Sequence, residues 1–209
     1  MRAIAHREVG CGWRPRHPLV CMLDIAGCAI TLALLAAYPQ KFIVAILPWS
    51  IAALYAVSCL YHWLPVHAVR QKLDHLMIAV VIAVTYLPFW WTQLPTPEPL
   101  LLTLILGALF VFVCALKLFF ISRQTLGGIV FLIMGLVGTL VSFNGLRVWL
   151  PTPAFACFWL GLMLYLLQFA IYAGKKPDLW PEHFGFRELQ HVLLLWATTL
   201  HSVVVLRYL

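Results

Sequence analysis

Seven apolar stretches, each about twenty residues long, divide this chain almost from end to end. They run Leu19–Tyr38, Phe42–Leu64, Leu73–Leu94, Pro99–Phe120, Leu126–Trp149, Pro153–Ala173 and Arg187–Tyr208. A helix needs roughly 20 residues to cross the hydrocarbon core of a bilayer, so each stretch predicts one crossing. Membrane-spanning strands alternate apolar and polar residues over about ten positions, whereas these runs are apolar on every face. Only 10% of the 209 residues are charged, against roughly 25% in a soluble domain. That leaves too few polar side chains to form a water-facing shell. The expected fold is all-α: a polytopic membrane protein built as a seven-transmembrane-helix bundle over residues 19–209, preceded by a basic segment at 1–18.

The connections between spans are short and marked by turn formers, as at Leu64-Pro65, Pro95-Thr96-Pro97 and Pro151-Thr152-Pro153. No internal repeat or low-complexity segment interrupts the pattern. The first apolar run is too long for the core of a cleaved signal peptide, and it is expected to stay as the first span. With no separate soluble domain predicted, any chemistry has to sit in the bundle or in its short loops.

A net charge of +7 invites a nucleic-acid reading, but in a polytopic protein the distribution of positive charge reports orientation instead. With a cytoplasmic N-terminus, the inside segments hold Arg2, Arg7, Arg14, Arg16, Arg70, Lys72, Lys117, Arg123, Lys175, Lys176 and Arg187; the outside segments hold Lys41, Arg147 and Arg207. Eleven against three places the N-terminus in the cytoplasm and the C-terminus outside. The basic balance is thereby explained, and no nucleic-acid partner is expected. Of the six cysteines, all but Cys11 fall inside the predicted spans at no metal-ligand spacing. They read as small buried hydrophobes without a disulfide framework.

Ionisable groups are costly inside a bilayer, so those that lie at span ends carry the functional signal. Ser58 and His62 close the second span, Asp74-His75 open the third, and Arg187 and His191 open the seventh. Under the orientation above, these ends share one depth near the cytoplasmic interface. Ser58 and His62 are four residues apart, as are Arg187 and His191, so each pair shares a helix face. Three helices can then aim a hydroxyl, two imidazoles and a carboxylate at one cavity, which is how metal sites are built between helices of a bundle. The plainer reading is interfacial: Asp74 in the first turn of its span would suit the helix dipole. His201 lies ten residues beyond His191, about 15 Å deeper. It is expected to hydrogen-bond a neighbouring helix and not to share a ligand set with His191. His67 and His183 are expected in solvated loops and Lys117 to snorkel. Asp24 is expected to pair within the bundle, with a partner that the sequence does not reveal.

These residues resemble the hemolysin III family, within the progestin and adipoQ receptor superfamily. The resemblance rests on Ser58-Cys-Leu-Tyr-His62, Leu73-Asp74-His75-Leu-Met-Ile78 and Thr85-Tyr86-Leu-Pro88-Phe89. It extends through Lys176-Pro177-Asp-Leu-Trp-Pro181-Glu-His-Phe184-Gly185-Phe186-Arg187-Glu188-Leu-Gln-His191 to His201. It implies a seven-helix protein of the plasma membrane (the inner membrane in a bacterium) with a zinc site near the cytoplasmic face. The family's serine, first histidine and aspartate map onto Ser58, His62 and Asp74, and the second of its last-span histidines onto His191. The first of that pair maps onto Arg187, which cannot ligate a metal. Val84 and Leu87 also stand where the family pattern has glycine and threonine. The segment before the first span lacks the family's usual acidic and histidine residues.

The resemblance implies metal-assisted hydrolysis of a ceramide-like lipid amide. His62 and His191 would be zinc ligands, Asp74 would orient or deprotonate a bound water, and Ser58 would hydrogen-bond the water or the oxyanion. Catalytic zinc normally takes three protein ligands, and the arginine leaves that set short. The alternative is a non-catalytic lipid-sensing or membrane-homeostasis protein in which the guanidinium has replaced the metal and pairs with Asp74. His183 or Glu188 would be a poorly placed substitute ligand. A cytolytic role, suggested by the family's name, fits poorly with a chain that has no soluble shell.

Overall fold

In the computed structural model of the protein, the described residues are 17–38, 41–65, 67–116, 124–177, 179–180 and 184–209, with the side chains of 124–127 excepted. Arg2, Arg7, Cys11, Arg14, Arg16, Lys117, Arg123 and His183 lie outside them. The helices are α1 (Pro18–Ala37), α2 (Phe42–Trp63), α3 (Ala68–Thr85), α4 (Leu87–Gln93), α5 (Glu98–Ala115), α6 (Gln124–Trp149), α7 (Thr152–Gly174) and α8 (Phe186–Tyr208). Among the described residues, seven helical spans are long and apolar enough to cross a membrane, as the sequence predicts, and α3 and α4 together form the third, Ala68–Gln93. The only β-type pairing among them is an isolated bridge between Trp180 and Phe184.

Local chemistry sets several boundaries. Prolines stand in the first turns of α1, α4, α5 and α7, where the missing N–H has no intrahelical acceptor to lose. The third span starts earlier than its apolar run, at Ala68, because the His67 ring accepts the Val69 N–H at 3.3 Å and the Arg70 guanidinium donates to the Pro65 carbonyl. It breaks at Tyr86, which has φ −92° and ψ −19°. Pro88 has no N–H to donate, and its ring crowds the carbonyl four residues back, at Val84. The chain into α8 is held by reciprocal backbone hydrogen bonds between Trp180 and Phe184, at 2.9 and 2.8 Å.

Large apolar side chains face outward, among them Leu101, Leu104, Val111 and Phe112 of α5, Leu140 of α6 and Trp196 of α8. Polar side chains face inward, including Asp24, Ser58, Thr139, Ser142, Thr198 and Ser202. This distribution suits lipid as the surrounding solvent, because polar groups inside hydrocarbon must find partners within the protein. Hydrogen bonds between helices supply some of them. The Tyr55 and Thr198 hydroxyls lie 2.7 Å apart and join α2 to α8. Tyr86 lies 2.7 Å from Thr139, and the Trp90 indole donates to Ser142 at 2.9 Å, tying the break in the third span to α6. Helix α1 packs on α2 and α8, α7 on α8, and α2 on α3. The end of α2 and the starts of α1, α3 and α8 thus gather at one end of the bundle.

Candidate functional site

Ser58, His62, Asp74, His75, Arg187 and His191 all line one cavity of about 950 Å³. The juxtaposition expected from their common depth is therefore present. Its walls are largely apolar, with Leu54, Ile78, Val81, Phe131, Leu162 and Leu194 among them, and the polar groups collect at the α2–α3 loop end.

Asp74 is the seventh residue of α3, whose first turn holds no acidic residue. The dipole explanation for its charge therefore does not apply, since that effect fades beyond the first turn. Its carboxyl instead lies within hydrogen-bonding reach of Ser58 and interacts electrostatically with His191.

His191 is oriented by Asp24. Its Nδ1 stands 2.9 Å from Asp24 Oδ1, and the Asp24 side chain is fully buried. A carboxylate in this position accepts the Nδ1–H, so that in the neutral ring the lone pair lies on Nε2. The His62 ring sits edge-on to that of His191, with centroids 5.2 Å apart. Depth puts the two residues at one level without fixing the pairing. Spans one and seven run in the same direction, with Asp24 the seventh residue of α1 and His191 the sixth of α8.

His17, within the basic segment that leads into the first span, is a further member of the site. It is buried beside the polar end of the cavity. Arg187 Nη1 donates to His17 Nε2 at 2.6 Å, and the His17 and His62 rings meet edge-on at 5.5 Å. On its other side, His17 Nδ1 faces Glu188 Oε1 at 3.9 Å. The expected Arg187–Asp74 pairing is thus replaced: among the described residues no ion pair joins them, and the guanidinium is held by an imidazole. His17 immediately precedes Pro18 at the start of the first span. That position puts it at the depth of Arg187 by the same argument that groups the other site residues.

Glu188 serves the backbone. Its Oε2 accepts the Gly185 N–H at 2.9 Å, in a capping-box arrangement at the start of α8. It is therefore engaged at the helix start, and His183 lies outside the described residues. His67 is exposed and caps α3. His201 donates from Nε2 to the Phe158 carbonyl of α7 at 3.0 Å, the neighbouring-helix bond expected of it. The cysteines Cys21, Cys28, Cys59, Cys114 and Cys157 are free thiols.

The donor set does not fit zinc. Among the described residues, no three histidine, cysteine or carboxylate side chains are placed to hold a metal ion. The reason is chemical as well as geometric: a permanently charged guanidinium stands in the first turn of α8, and its hydrogen bond occupies the Nε2 lone pair of the extra imidazole, His17.

Fold and site together define a multi-pass membrane protein, seven spanning helices with a polar centre at one end of the bundle. Residues 4–202 match the haemolysin-III related family, and the chain belongs to it. The wider progestin and adipoQ receptor grouping is consistent with that membership.

Proposed function

We propose that the protein binds a neutral lipid amide from the membrane and acts as a lipid sensor, with Arg187 in place of metal chemistry. The observation that carries this reading is one cavity in which largely apolar walls meet a polar end rich in both donors and acceptors. Cavities that bind amphiphiles combine apolar walls with a few convergent polar groups. Here the guanidinium of Arg187 and the imidazole of His62 can donate, while the carboxyl of Asp74 can accept. Along the lining the cations Arg187 and Lys175 are matched in number by the carboxyls of Asp74 and Glu188. That balance favours a head without net charge, such as an amide with adjacent hydroxyls, over a phosphate or carboxylate. The charge count further supports placing the polar end on the cytoplasmic side of the membrane.

The test is saturable binding of N-stearoylethanolamine to the detergent-purified protein, beside an Arg187→Leu variant. The natural protein is expected to bind it, and the variant to bind about tenfold more weakly, the effect of one hydrogen bond to a charged donor. Absence of saturable binding by the natural protein would overturn the reading.

A further inference from the structure

Deep in the same cavity, two polar groups stand apart from the polar end. His201 and Tyr165 both line it, and their rings meet at 5.3 Å. His201 is ten residues along α8 from His191, which sets it about 15 Å deeper. That is well inside the last span, where an unpaired polar atom is costly.

The His201 ring has a fixed orientation. Nε2 donates to the Phe158 carbonyl at 3.0 Å, and the ring lies flat on Phe158, with centroids 4.6 Å apart and planes 4° apart. Gly161 makes room for it, since a Cβ there would meet His201 Cδ2 at 2.5 Å. With Nε2 carrying the proton, Nδ1 is an acceptor. It is buried and, among the described residues, has no hydrogen-bond partner, and the same holds for the buried Tyr165 hydroxyl. An acceptor and a rotatable O–H on two residues that line a common cavity match a hydroxyl, which can donate to Nδ1 and accept from Tyr165. A ketone could only accept.

We infer that His201 and Tyr165 form a second recognition site, for a hydroxyl carried on the ligand's chain about 15 Å from its head. The inference rests on the lipid-amide reading and narrows it to amides whose acyl chain is hydroxylated near its middle. The wall between the two sites includes apolar residues, Ile82 and Leu194 among them, and the hydroxyls of Thr85, Tyr86 and Thr139 in the same lining are already hydrogen-bonded within the protein.

The experiment compares N-stearoylethanolamine with its mid-chain hydroxy derivative and with an isomer hydroxylated beside the carbonyl, by competition on the detergent-purified protein. The mid-chain hydroxy amide is expected to bind about tenfold tighter than the plain amide, the equivalent of one or two net hydrogen bonds. The isomer is expected to show no such gain. Tyr165→Phe keeps the ring packing, and it should shrink the preference for the mid-chain hydroxy amide at least threefold. Equal binding of all three lipids, as when a resident water already satisfies both groups, would overturn this inference and leave the lipid-amide reading standing. If none of them binds, both fail together.

Discussion

A cation in the first turn of a helix meets the positive end of the helix dipole, so Arg187 stands at a position that disfavours it. Glu188, next in the chain, and the acceptor nitrogen of His17 offset that charge locally. Replacing Arg187 with histidine should remove the charge and restore a third imidazole one turn before His191. Elemental analysis of purified protein is expected to find about one zinc per chain in Arg187→His, the third ligand completing the usual set, and none in the natural protein. Zinc in the natural protein that disappears in His62→Ala would show that the guanidinium does not block a metal. The Asp24–His191 bond should carry stability as well as orientation. Asp24→Leu leaves a buried imidazole N–H without its acceptor, a loss of about 2 kcal/mol, read as a lower Tm in detergent. An unchanged Tm would mean the pair contributes nothing to folding. At this scale the sequence exposed the type of each site residue and its depth. It did not expose the pairings, because Asp24 with His191 and Arg187 with His17 join residues more than 160 positions apart, through a rotational register of α1 against α8 that apolar periodicity does not encode.

Between elements, close approach depends on small residues, since lipid offers helices little hydrophobic reason to associate. At Gly161 an added methyl would meet the His201 ring and, at 3.3 Å, the Ala197 carbonyl of α8. Gly161→Ala is therefore expected to separate α7 from α8 and destabilise the protein by about 1–3 kcal/mol. Gly107→Ala, where nothing lies within 4 Å, should leave Tm nearly unchanged, and equal effects of the two would contradict this account. The spans themselves were legible from length and hydropathy to within a few residues at most ends. The third was the exception at both its start and its middle. A polar first turn, Ala68 to Lys72, hid its beginning and so misplaced Asp74 in the first turn. The break at Tyr86 follows from Pro88, whose effect on a helix is local and readable. What the break does, which is to bring Tyr86 and Trp90 onto α6, depends on a neighbour that the sequence does not identify.

For the whole molecule, the uneven distribution of arginine and lysine predicts which end faces the cytoplasm. In a cysteine-free background, a single cysteine introduced at His67 should resist a membrane-impermeant maleimide in intact cells, and one introduced at Leu209 should react. The reverse pattern would invert the bundle and put the cavity's polar end outside. The gathering of site residues at one end was readable from topology alone. The cavity's volume and its second pair of polar groups were not, since empty space arises from how side chains fail to fill it. His17 has a consequence at this scale. The polypeptide begins its first crossing of the membrane from within its own pocket, one residue after a side chain that touches Arg187. A displacement of the chain at His17 is thus a displacement of the cavity's own wall, whereas Leu209 follows the last span at the opposite end of the bundle.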